Sequence, residues 1–149
     1  MIVPDLNLLI YTYDKTSQHH TAAVKWWTGC LNGREPVGLP DVVVFGFMRL
    51  TTNPRVFASP MTPVEASGIA GCWMERPIVQ RLAALADHPE RVRKLLEIVG
   101  TAGNLVTDAQ IAALALQEEA TVHTNDGDFQ RFPGLRWHNP LTSISGRAR

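Results

Sequence analysis

MIVPDLNLL, residues 1–9, sets an acidic side chain at the junction of two periodicities. Ile2 and Val3 form a short apolar run closed by Pro4. Proline is tolerated at a strand end but not inside a central ladder, so the strand stops there. Asp5 opens a stretch carrying Leu8, Leu9, Tyr11 and Tyr13, which reads as a helix. A strand, an aspartate and a helix therefore follow one another within a dozen residues.

The same alternation runs through the rest of the chain. Ala22, Ala23, Trp26, Trp27 and Cys30 recur at spacings of three and four, which predicts a helix from about His19 to Leu31, ended by Gly33. Val37 to Leu39 is a short strand, and Pro40-Asp41 starts a helix that Asn53-Pro54 stops. Thr62-Pro63 followed by Glu65 starts another, running to about Met74. Ile78 to Leu82 is a strand. His88 to Val99 is an amphipathic helix. Thr107 with Gln110 matches a capping box and is expected to open the next helix, with Ile111, Leu114 and Ala115 as its apolar stripe. Thr121 to Thr124 and Arg136 to His138 are the last strands. Short strands alternating with helices predict an α/β fold, a short and mainly parallel sheet flanked by helices. Ligands of such sheets collect at the carboxyl ends of the strands.

Four aspartates fall at such ends or at helix starts: Asp5, Asp108, Asp126 and Asp128. Carboxylate oxygens are the hard ligands that Mg²⁺ or Mn²⁺ needs, and clustered carboxylates repel one another unless a cation sits among them. Each residue also has a plainer reading. Asp5 and Asp108 are placed to cap helices, and Asp126-Gly127-Asp128 is good turn chemistry. The case for a site rests on their convergence.

Bulk composition narrows the options. The 149 residues suit one domain, and 45% hydrophobic with 19% charged residues is ordinary for a folded protein. Fourteen basic and fourteen acidic side chains balance to zero, which argues against broad, sequence-blind coating of nucleic acid and requires any RNA contact to use a local basic rim. Cys30 and Cys72 have no neighbour at zinc-ligand spacing and read as two buried, reduced thiols in a cytoplasmic protein. There is no secretory signal and no membrane-length apolar run. His19-His20 is not a metal pair, because adjacent helix residues face different ways. No phosphate-binding glycine loop, dinucleotide fingerprint or Ser-His-Asp triad is present. Trp26, Trp27 and Trp73 sit on apolar helix faces and are expected in the core or at an oligomer contact; Trp137 is a candidate for stacking on a base.

From Ile2 to about Leu141 the chain resembles the PIN-domain VapC toxins. The likeness rests on Asp5-Leu6-Asn7-Leu8-Leu9 after the first strand, on residues 49–57 (RLTTNPRVF), on residues 104–109 (NLVTDA), and on residues 124–129 (TNDGDF) followed by Phe132-Pro133-Gly134-Leu135 and Asn139-Pro140-Leu141. The resemblance implies a PIN-like three-layer fold over residues 1–141, with residues 142–149 as a polar tail expected to fray. It implies a Mg²⁺- or Mn²⁺-dependent endoribonuclease, the toxin of a type II toxin–antitoxin pair, acting on RNA as a homodimer and held in check by a VapB-type antitoxin. It makes Asp5, Asp108 and Asp126 metal ligands, with Asp128 joining directly or through water. Asn7, Thr107 and Thr124 would orient the carboxylates. Arg49 and Arg55 are candidate phosphate contacts, as are Arg131 and Arg136, against the plainer reading of solvated surface cations.

One position departs from the family. Many relatives carry a glutamate on the helix after the second strand, and the matching position here is Gly46. Asp41, five residues earlier, points about 140° away on a helix. A glycine there either leaves room for water or substrate or marks a weakened nuclease that binds RNA or antitoxin without cutting. A metal-dependent phosphohydrolase with a different substrate is the other alternative.

Overall fold

A computed structural model describes residues 1–149. Six strands form one sheet in the order β3-β2-β1-β4-β5-β6: β1 (Ile2–Pro4), β2 (Val37–Pro40), β3 (Val79–Leu82), β4 (Thr121–His123), β5 (Arg136–Asn139) and β6 (Ile144–Arg147). The first five are parallel and only β6 runs antiparallel, against β5. The helices are α1 (Leu6–Tyr11), α2 (His20–Leu31), α3 (Asp41–Thr51), α4 (Pro63–Met74), α5 (His88–Val99) and α6 (Leu105–Gln117). Every residue of β1 and β2 is buried, as parallel strands covered on both faces must be. Pro4 lies in a central strand, but at its last position. The ladder resumes at once, with the Asp5 amide donating to the His123 carbonyl at 2.8 Å.

Most predicted elements sit where their residues placed them. The expected start of α4 is a full capping box: Thr62 Oγ1 accepts from the Glu65 amide, and the Glu65 carboxylate accepts from the Thr62 amide. Gly100 ends α5 in the left-handed region, at φ 76°.

Three expectations change. Helix α6 begins at Leu105, not at a Thr107–Gln110 capping box, and the Gln110 amide reaches back to the Val106 carbonyl instead. Leu105 is buried, and starting the helix two residues earlier turns it into the core. The tail does not fray. Its residues 144–147 form β6, Ala148 is buried, and the Ala148 amide donates to Leu135 at 2.9 Å. Gly146 makes this possible: a Cβ there would lie 2.8 Å from the Trp137 ring, its partner across the ladder. Cys72 is exposed while Cys30 is buried, and burial pushes the Cys30 thiol up to about 12. Trp27 and Trp73 are core residues, packed edge to face at 5.5 Å, whereas Trp26 stays partly exposed and donates from Nε1 to His123 Nδ1 at 3.0 Å.

Candidate active site

The site is built where β1 and β4 end side by side. Their pairing, Val3 opposite Val122 and Pro4 opposite His123, delivers Asp5 and Thr124 to the same edge across 119 residues of sequence. Thr124 Oγ1 donates to Asp5 Oδ2 at 2.8 Å and accepts from the Asp126 amide at 2.8 Å. One hydroxyl thus joins the first acidic segment to the last. Asp126 Oδ1 then accepts from the Asp128 amide at 2.9 Å, closing the turn that opens a short 3-10 helix over Gly127–Arg131. The turn chemistry expected for Asp126-Gly127-Asp128 is therefore present and also presents two carboxylates. Asn139 clips the turn to β5: it donates to Asn125 Oδ1 at 2.8 Å and accepts from the Leu141 amide at 2.9 Å. That clip explains the Asn139-Pro140-Leu141 motif, to which its residues alone assigned no role.

Electrostatics show that the three segments share one neighbourhood. Asp5 is only 1% exposed. Its carboxyl is raised from 3.8 to about 7, chiefly by burial and further by the charges of Asp108 and Asp126, against the opposing Thr124 hydroxyl and Asn7 backbone amide. Asp108, in the first turn of α6, is raised to about 6 by burial and then by Asp126 and Asp128. Asp5 caps no helix with its side chain, and neither does Asp108, which lies inside α6. Both carboxyls are held in a setting that opposes their ionised forms, and a cation among them would relieve it.

The donor set fits a hard divalent ion, because it is all carboxylate oxygen, with a hydroxyl holding the buried member in place. No three side chains are already closed into a ligating arrangement. Asp5 is buried, while Asp108, Asp126 and Asp128 are half-exposed. A cavity of about 990 Å³ between α2 and α4 contains none of the four acids, so the larger recess and the acidic cluster are separate features.

The remaining candidates divide. Asn7 meets Asp5 through its backbone amide while its residue is exposed, and Thr107 is half-buried on α6 without a side-chain hydrogen bond. Arg49 and Arg55 are exposed and pair with no acid. Arg131 is bonded to the cluster, 3.1 Å from Asp128 Oδ1. Gly46 leaves no space for water or substrate: a Cβ there would lie 2.6 Å from Leu6 Cδ2. The volume an acidic side chain would need is filled by leucine, and the site has four acids.

Known proteins carry the same frame. The PIN domain family matches residues 2–135. Ribonuclease VapC33 of Mycobacterium tuberculosis is 38% identical over 141 residues, covering 95% of this chain and 99% of the relative. Ribonuclease VapC37 of the same organism is 35% identical, covering 94% and 97%. Among solved structures, the M. tuberculosis VapC20 sarcin–ricin loop cleaving toxin superposes with a TM-score of 0.68 at 18% identity, over 87% of this chain and 92% of that one. VapBC2 from Rickettsia felis, bound to a DNA fragment from its promoter, superposes at 0.64 and 21%, over 93% and 98%. The family match over residues 2–135 and the 35–38% identity with these relatives over 94–95% of the chain show that it belongs to the PIN-domain family, among the VapC ribonucleases.

Proposed function

We propose that this chain is the toxin of a type II toxin–antitoxin pair, an endoribonuclease that hydrolyses RNA phosphodiester bonds with Mg²⁺ or Mn²⁺. The observation that carries the reading is the buried Asp5 carboxyl, raised to about 7 beside Asp108 and Asp126. Buried carboxyls perturbed this strongly cluster at functional sites. Asp5, Asp108 and Asp126 would hold the ion, with Asp128 joining them. A divalent ion bound there supplies activation of water near neutral pH and neutralises charge on the phosphate. Thr124 keeps Asp5 and the Asp126 turn in fixed relation, Asn7 supports Asp5 through its amide, and Thr107 stands next to Asp108 on α6. Arg49 and Arg55 are open to contact phosphates away from the acids.

A VapB-type antitoxin is the proposed inhibitor, supported by the structural likeness to VapBC complexes. A homodimer in the cytoplasm is the proposed working state; no helix is long and apolar enough to cross a membrane. The weakened-nuclease reading keeps one specific support, the leucine-filled space at Gly46, and the same experiment decides between them. Purified protein is incubated with RNA in Mg²⁺, Mn²⁺ or EDTA, beside Asp5→Asn. The expected result is cleavage by the wild type only when metal is present, and none by a folded Asp5→Asn. Cleavage that survives EDTA or the substitution defeats the assignment.

A further inference from the structure

Every acidic residue of the chain lies at or before Asp128. Beyond it stand Arg131, Arg136, Arg147 and Arg149 with no carboxylate among them, so a molecule of zero net charge is divided into an acidic body and a basic C-terminal segment. The fold gathers that segment along the β5–β6 edge of the sheet, with Arg136 and Arg147 at the amino end of β5 and the candidate site beyond its carboxyl end. Arg131 touches Asp128. Arg136 and Arg147 face each other across the β5–β6 ladder, an arrangement of like charges that costs stability. Neither has a carboxylate partner; Arg147 Nε donates only to the Gly134 carbonyl at 3.2 Å. Both line a recess of about 330 Å³ against the end of α6, with Glu119 at its border. The carboxyl end of α6 offsets part of the repulsion between them but leaves their outward N–H groups without acceptors.

We propose that the β5–β6 edge is a basic rim that binds the phosphate backbone of RNA, with Arg136 and Arg147 as the paired contact and Arg131 leading from it to the acids. The proposal rests on the ribonuclease reading for its ligand. Charge complementarity selects that ligand: unpaired guanidinium groups are strong phosphate donors, while the rest of the chain carries ten basic against fourteen acidic side chains. Arg136 opens β5 and Asn139 closes it at the site end, about 10 Å away along the strand. A short single-stranded segment can therefore lie on the rim and reach the carboxylates together.

The test is RNA binding by the full chain, followed by fluorescence anisotropy in EDTA with a labelled single-stranded RNA at several salt concentrations. Arg136→Gln/Arg147→Gln is compared with the wild type, with Arg136→Lys/Arg147→Lys, and with the charge-matched Arg91→Gln/Lys94→Gln on α5. Each lost phosphate contact on a single strand lowers the slope of log K against log salt by about 0.7. The Gln pair should lose about 1.4, the Lys pair should recover it, and the α5 pair should leave it unchanged. An unchanged slope in the Gln pair overturns the rim, as does an equal loss in the α5 pair. Unchanged RNA binding with a tenfold loss of antitoxin affinity also overturns it, in favour of a protein partner. Metal-dependent cleavage by the wild type reports on the ribonuclease reading separately, so either idea can fail alone.

Discussion

Asp5→Asn should separate activity from stability in opposite directions. Burial and the neighbouring acids raise the Asp5 carboxyl from 3.8 to about 7. The fold therefore favours the neutral acid. The stability this group confers is complete below about pH 4 and is lost as pH rises through about 7. At 1.36 kcal/mol per pH unit, the loss is about 4 kcal/mol by pH 8. Asparagine keeps an oxygen to accept from Thr124 and carries no charge. Its own unpaired amide returns about 1–3 kcal/mol of that gain, leaving the variant about 1–3 kcal/mol more stable than wild type at pH 8 without metal. For a chain of this length each kcal/mol moves Tm by about 2–4 °C. The assay is thermal and urea unfolding of both proteins in EDTA at pH 4.5, 6 and 8. Wild type should lose stability across that range and Asp5→Asn should lose less, since Asp108, raised to about 6, still titrates in the same direction. Added Mn²⁺ at pH 8 should restore wild type more than the variant. A wild-type curve that is flat from pH 4.5 to 8, with a variant less stable throughout, would refute the reasoning.

Thr124→Val removes the hydroxyl that joins Asp5 to the Asp126 turn and should lower metal affinity or cleavage about 10–100-fold, measured by Mn²⁺ titration and RNA turnover. Gly46→Ala brings a methyl to 2.6 Å from Leu6 Cδ2 and should cost about 1–3 kcal/mol; Leu6→Val in the same chain should recover part of it, and additive urea midpoints would count against the contact. Deleting residues 143–149 strips β6 from β5 and uncovers the Leu135 and Trp137 region; Tm should fall by several degrees, whereas a frayed tail would make the deletion silent.

Local chemistry made most of the fold legible. Pro4 at a strand end and Thr62 with Glu65 each act within a few residues, and each did in the structure what its type dictates. The strand-end positions of Asp5, Asp108 and Asp126 suggested a shared crevice and the family likeness strengthened it, but their meeting depends on β1 lying beside β4. What escaped the sequence was set by long-range packing. Leu105 drew α6 past an apparent cap, and Trp137 gave Gly146 a partner that turned a polar tail into a strand. Leu6 filling the space at Gly46 is of the same kind, since nothing in a run of 11 helical residues reveals what faces a missing side chain.

The central position of β1 has a consequence for biosynthesis. Its neighbour β4 and the bridging Thr124 leave the ribosome more than 110 residues after Asp5. A nascent chain can form its early helices as they emerge, but the sheet stays incomplete down its middle until late in translation. Fragments that end before Thr121 lack β4 and the Asp126 turn, and so lack the two late carboxylates of the candidate site.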